Sequence, residues 1–198
     1  MNEEIHPASL EPFDERGLGH IPARLKLRRF LHIALREVLT TLVPALLAVL
    51  VINVYIAEAA RVESGPSMQP NLYVGYRVVT EKISYRLHQP ERGDIVVVER
   101  APPQKALIKR VMALSGEWVE VRGGHTFING QPVDEPWVTH FGGPDAGPLL
   151  VPEGHVFIIG DNRTVSHVLR AIGPVHIDAI KGRVWLIYWP LDELQLVS

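Results

Sequence analysis

At 198 residues the chain has room for one soluble domain and an anchor, or for two very small domains. A formal net charge of -2 gives no basic footprint of the kind nucleic-acid binding requires. The absence of cysteine excludes a thiol nucleophile and a disulfide framework while leaving the compartment open.

Residues 1–22 are polar and mixed in charge, with no periodic apolar face, and read as a disordered tail. Residues 24–36 carry five Lys or Arg and no acid, so residues 23–37 read as a basic juxtamembrane segment. From Val38 to Ala57 no residue is charged. Twenty residues at about 1.5 Å each span roughly the 30 Å of a hydrocarbon core. A transmembrane helix is therefore expected over 38–60, with Pro44 and Asn53 as tolerated irregularities. A buried core helix or a cleaved signal peptide is the alternative, although a signal peptide would lie nearer the start and be shorter. The cationic cluster places the N-terminal side in the cytoplasm, and residues 61–198 outside.

Beyond the apolar segment the period changes. Arg77–Ile83, Asp94–Glu99, Ala106–Leu114, Trp118–Arg122, His125–Ile128, His155–Ile159 and Gly182–Trp189 are short, rich in branched or aromatic residues, and bounded by turn formers. Gly123-Gly124 and Asn129-Gly130 are hairpin signals. Residues 141–148, with three Gly and two Pro, read as a loop. No strand–helix alternation appears, so a mostly β fold of antiparallel sheets with partial barrel closure is expected.

Three elements carry chemistry. Ser67 stands in Gly65-Pro-Ser-Met-Gln-Pro70, where glycine permits close approach of a ligand and the prolines stiffen the backbone. The same run also suits an ordinary turn. Lys109 shares a strand face with Leu107, Val111 and Ala113 by alternation. Burial there disfavours the ammonium and makes a base of the amine, whereas an edge position would leave it a solvated cation. Ser-Lys pairs perform acyl transfer in this way. Gly160-Asp-Asn-Arg163 followed by Ser166 is a tight-turn signal bearing charges and a hydroxyl. The nine histidines show no ligand spacing, and no metal or cofactor is expected.

Together these elements resemble the type I signal peptidases, the membrane-bound Ser-Lys proteases of peptidase family S26. Gly65–Pro70 is similar to the nucleophile box, Arg92-Gly-Asp-Ile-Val-Val97 to the Arg-Gly-Asp strand, Lys109-Arg-Val111 with Ser115-Gly-Glu117 to the general-base box, and Gly160–Ser166 to the final box. The likeness runs from about residue 61 to 189. It implies a fold shared with LexA-like proteases, and a serine endopeptidase that removes signal peptides from preproteins without a cofactor. It makes Ser67 the nucleophile, Lys109 the general base and Ser166 the group that orients the lysine. Asp161 and Arg163 become structural groups, Arg110 a partner for Asp161, and Met68 a lining of the substrate cleft. The Ser67 amide contributes to an oxyanion hole, with Gly65 where some members carry a hydroxyl.

Asn71 replaces a Thr of the family pattern, and Ala113 and Ser115 replace a Gly and a Pro. After Ser166 the family's Ser-x-Asp-Ser-Arg becomes Ser166-His-Val-Leu-Arg170, so Val168 and Leu169 leave Arg170 without its usual carboxylate. Because Ser67, Lys109 and Ser166 all remain, an active enzyme is expected, with reduced stability near the site or altered substrate preference as the alternative. Two rivals remain at this stage. A self-cleaving LexA-type repressor would need a DNA-binding domain where residues 1–60 offer an apolar helix. A membrane-anchored β domain that only binds secreted proteins would keep the boxes for folding alone.

Overall fold

The computed structural model describes residues 23–63, 65–165 and 173–197, and the chain divides into two units, residues 1–48 and 49–198. Helix α1 (Ala23–Glu37) is followed by a π-helical turn, Val38–Leu42, then α2 (Val43–Val51) and a second π-helical turn, Ile52–Ile56. The first wide turn lies just before Pro44, whose ring clashes with the carbonyl four residues back and whose missing N–H interrupts the ladder. Within the helix Thr40 Oγ1 donates to the Arg36 carbonyl (2.7 Å) and Asn53 Nδ2 to the Val49 carbonyl (3.1 Å). Both polar side chains are thus satisfied without a partner outside the helix. Phe30–Ile56, 27 residues, is long and apolar enough to cross a membrane.

The helix ends four residues before the expected Ala60. Ala57–Arg61 is instead strand β1, paired in antiparallel register with β2 (Arg77–Glu81), from Ala57↔Glu81 to Arg61↔Arg77. Alanines suit a helix, but Glu58 and Arg61 have no place in hydrocarbon, and sheet pairing overrides the propensity.

The remaining elements are α3 (Ser84–Leu87), β3 (Ile95–Val98), β4 (Leu107–Ala113), β5 (Trp118–Arg122), β6 (His125–Ile128), β7 (Gln131–Pro132), β8 (Ala146–Leu150), β9 (His155–Ile159), β10 (Gly173–His176), β11 (Ile180–Trp189) and β12 (Gln195–Leu196). The larger sheet has the order β1-β2-β11-β3-β4-β9-β10, with β12 also on β11, and the smaller is β7-β6-β5-β8. Every strand pairing among the described residues is antiparallel, as expected. Gly123, Gly124, Asn129 and Gly130 all have positive φ, the backbone that tight two-residue hairpin turns require. The region read as a loop over 141–148 is a correction. Its last residues begin β8, an edge strand of the smaller sheet, where proline costs no ladder hydrogen bond.

Strands β3 and β9 explain the two uninterrupted apolar runs. Ile95 and Val97 enter a core with Met68, Leu72, Val78, Val184 and Ile187, while Val96 and Val98 enter another with Val111, Val156 and Ile158. Phe157 and Ile159 face a third core with Met112, Val119, Val121 and Val151. A strand buried on both faces loses the alternation of a half-exposed one. On β4 the predicted alternation holds only as far as Met112. A register shift between Val111 and Ala113 turns Ala113 into the core of Met112 and Leu114 towards that of Val111. Leu72 is fully enclosed, five residues beyond Ser67. Leu72→Ala is predicted to cost about 2–5 kcal/mol, read as a lowered urea midpoint of the full chain in detergent.

Candidate active site

Ser67 is held by its neighbours. Met68 and Leu72 anchor the segment in the core, the Leu72 amide donates to the Met68 carbonyl (2.9 Å) and the Gln69 amide to that of Pro66 (3.1 Å). The Ser67 carbonyl accepts from the Asn162 amide at 3.0 Å, tying the Ser67 segment to the loop after β9. That approach needs glycine at 160, because a Cβ there would collide with the Ser67 carbonyl. Gly65, at φ 71°, takes the left-handed turn into Pro66.

Strand β4 brings Lys109 to the same place. Its Nζ donates to Ser67 Oγ at 2.6 Å and to the Ile108 carbonyl at 3.1 Å, and both Ser67 and Lys109 are only 3% exposed. Burial is the main influence on the amine and draws its pKa down from 10.5 to about 8. The Asp161 charge opposes that shift and the Arg100 charge assists it. A lysine in this state is readily deprotonated, and its lone pair then accepts the hydroxyl proton that the ammonium cannot take.

Two buried ion pairs frame the dyad. Arg110 donates through Nε and Nη2 to the two oxygens of Asp161, each at 2.9 Å, through Nη1 to the Gly93 carbonyl (2.6 Å), and stacks on the Trp137 ring. Asn71 closes this group by donating to Asp161 Oδ2 (2.8 Å) and the Trp137 carbonyl (2.9 Å). Arg163 pairs with Glu135 and also donates to the carbonyls of Gly124 (2.7 Å) and Gly160 (3.0 Å), reaching the smaller sheet. Glu135 in turn accepts from the Thr126 amide and hydroxyl. The Arg-Gly-Asp run forms a turn. Arg92 donates to the Met112 carbonyl and pairs with Glu117, while Asp94 accepts from the Tyr85 hydroxyl and pairs with Arg183. Burial, then the bond to Asp94, push the Tyr85 phenol far up.

The structure therefore brings Ser67, Lys109, Met68, Gly65, Arg110 and Asp161 together, and it places Arg163 in the adjoining loop on the far side of Asn162. Ser166, Val168, Leu169 and Arg170 lie outside the described residues. Glu135, Asn71 and Trp137 were not singled out as site residues by the motifs. Asn71 showed only as a departure from the pattern, and Glu135-Pro-Trp137 carried no signal beyond a turn.

An antiparallel β domain with a buried lysine amine against a serine hydroxyl defines a candidate Ser-Lys hydrolase, behind a helix able to cross a membrane. Residues 35–189 match the family described as "Signal peptidase, peptidase S26", and the chain belongs to that family. It is 35% identical over 164 residues to the probable signal peptidase I-2 of Synechocystis sp., covering 80% of this chain and 75% of that one. It is 37% identical over 168 residues to signal peptidase I of Leptolyngbya laminosa, covering 81% and 82%. Signal peptidase IB of Staphylococcus aureus is 33% identical over 149 residues, covering 66% of this chain and 78% of its own.

Because the native lysine titrates near 8 and the unfolded one near 10.5, the desolvation penalty is fully present below pH 8. It is relieved as pH rises, since the unfolded chain then holds more protons than the native one. Lys109→Met is accordingly predicted to stabilise the protein at pH 7 by roughly 1–3 kcal/mol, an advantage that vanishes above pH 10. Thermal unfolding of both proteins across that range measures it. Asp161→Asn should destabilise by about 3–5 kcal/mol, since it leaves Arg110 buried without its anion. The same change should move the titration of Lys109 to lower pH, seen by NMR of the labelled amine.

Proposed function

We propose that this chain is a membrane-bound serine endopeptidase that removes N-terminal signal peptides from exported preproteins, with Ser67 as nucleophile and Lys109 as general base. One observation carries the reading: the 2.6 Å contact between the lysine amine and the serine hydroxyl, both out of water. Hydrogen-bond reach between nucleophile and base is what the mechanism needs.

Neutral Lys109 takes the hydroxyl proton as Ser67 Oγ attacks the scissile carbonyl. As the carbon–nitrogen bond breaks, the lysine passes that proton to the departing amine, leaving an acyl-serine ester. It then deprotonates the water that hydrolyses the ester. The Ser67 amide donates to the oxyanion, and Gly65 leaves that side of the serine uncrowded. Met68 supports the cleft floor. Ser166 orients the amine; Lys109 Nζ has two partners among the described residues, which leaves it one further hydrogen-bonding position. Asp161, with Arg110, and Arg163, with Glu135, hold the turn that follows β9. No step calls for a cofactor.

The topology of this reading follows the charge pattern. Residues 1–22 and the basic segment 23–37 lie in the cytoplasm, the apolar helix from residue 38 crosses the plasma or inner membrane, and the β domain works on the outer side.

Ser67→Ala and Lys109→Met are each expected to lower preprotein cleavage in detergent by about a thousandfold or more, followed on gels. Cleavage by either variant at the parental rate would sink the assignment. In the parent, kcat/KM should rise with pH to a plateau above about 8 and fall tenfold per unit well below it, as the base protonates.

A further inference from the structure

The apolar helix passes into the β domain through a strand of poor strand formers, since three of the five residues of β1 are alanine. Ala60 packs on the core of Val62 and Val78. Ala57 and Ala59 lie on the opposite face by alternation, and Ala59 is exposed, so that core does not set their size. Ala57-Glu-Ala59 directly follows the helix end at Ile56, and a basic segment precedes the helix. A basic segment, an apolar run and an A-x-A triplet, in that order, are the parts of a cleavable signal peptide, the cut falling after the second alanine. Here the fold covers that bond. Strand β1 pairs with β2 along its whole length, Ala59 opposite Val79 and Ala60 opposite Val78. Lys82 clamps the junction from the far end of β2. Its amide donates to the Ile56 carbonyl (2.8 Å), and its Nζ donates to the Asn53 carbonyl (3.1 Å) and pairs with Glu58 at 2.7 Å. Past the strand, the Val62 amide donates to the Tyr76 carbonyl (2.9 Å) and the Gly75 amide to the Val62 carbonyl (2.8 Å). A peptide that binds a protease as an added strand must first leave its own sheet.

We propose that the bond between Ala59 and Ala60 is a cleavage site for a second copy of this chain, and that the pairing of β1 with β2 keeps it uncut. The inference rests on the endopeptidase reading and names a substrate for that site. The chain cannot serve its own bond. Arg61 to Glu63, the continuation of β1, line the cleft above its own Ser67, so the strand would carry a wall of that cleft away with it. Between copies, Ser67 Oγ of one attacks the Ala59 carbonyl of the other, and Lys109 passes the hydroxyl proton to the departing Ala60 amine. Water then hydrolyses the Ala59 ester to a carboxylate. The cut separates the β domain from its apolar helix, so a copy that loses this sheet edge also loses its anchor. While re-pairing outpaces cutting, the rate of the cut follows the population in which β1 is unpaired.

The test takes the full Ser67→Ala chain in neutral detergent as substrate and a catalytic amount of the parent chain as enzyme. The Ser67→Ala chain with its pairing intact should be cut slowest. Adding Lys82→Ala to the substrate copy should speed the cut by about threefold to tenfold, the effect of losing one ion pair and one hydrogen bond. Adding Val78→Ala, which empties the core behind Ala60, should speed it further. N-terminal sequencing of the released domain should read Ala60-Arg-Val-Glu63. Ala59→Leu, placed in either loosened chain, should stop the cut while the β1 amides exchange hydrogen as fast as before, a result that general unfolding does not give. Loosened chains whose β1 amides exchange faster yet stay whole, while the parent cleaves a preprotein, would overturn the inference and leave the endopeptidase intact. Equal cutting of the paired and loosened chains would overturn the protection by β1. A parent that cleaves neither these chains nor a preprotein would overturn the endopeptidase, and this inference with it.

Discussion

A primary amine held out of water gives up its proton more readily, and the packing around Lys109 keeps water from its amine. Lys109 leaves the backbone of β4 where that strand pairs with β3, opposite Val96, and its side chain is packed out of solvent. The serine that shares its hydrogen bond is fixed by two core residues, Met68 and Leu72, and by the amide of Asn162. Neither partner is placed by a flexible element, so the amine and the hydroxyl are aligned by the fold itself.

The buried charges nearby have a different role. Asp161 and Arg163 are both fully enclosed, and each is neutralised by a partner from another part of the domain, Arg110 on β4 and Glu135 beside the smaller sheet. Buried pairs of this kind add little net stability over well-packed apolar groups, but breaking one leaves an uncompensated charge. They therefore enforce one arrangement of the loop after β9 without demanding a larger core. Trp137 and Asn71 complete the enclosure of Arg110 and Asp161, and Asn71 does so with a side-chain amide that reaches two acceptors at once.

What was legible in the chain follows a physical line. Strands buried on both faces, β3 and β9, showed as apolar runs, and the hairpin turns showed because positive φ restricts the residues that can stand there. The strands that escaped notice, β1, β7, β8, β10 and β12, lie at sheet margins or are only two residues long. Edge strands tolerate Ala, Gly and Pro, so Ala57–Arg61, Ala146–Leu150 and Gly173–His176 look like helix or loop. In the site, Ser67, Lys109, Arg110 and Asp161 stood out only through the boxes that resemble the family's. Glu135 did not, because a carboxylate that meets its guanidinium 28 residues later leaves no local pattern. The bulge on β4 was equally hidden, since alternation presumes a register that only the partner strand sets.

The four residues from Gly160 to Arg163 touch the Ser67 segment through Gly160 and Asn162, strand β4 through Asp161, and the smaller sheet through Arg163. Such a stretch behaves as a keystone, where an inserted residue would misplace every neighbour at once. The β6–β7 hairpin at Asn129-Gly130 has open space around its glycine and joins a two-residue edge strand. New termini, a fluorescent tag or a cross-linking handle belong at that tip, where backbone continuity can be given up without unseating the lysine.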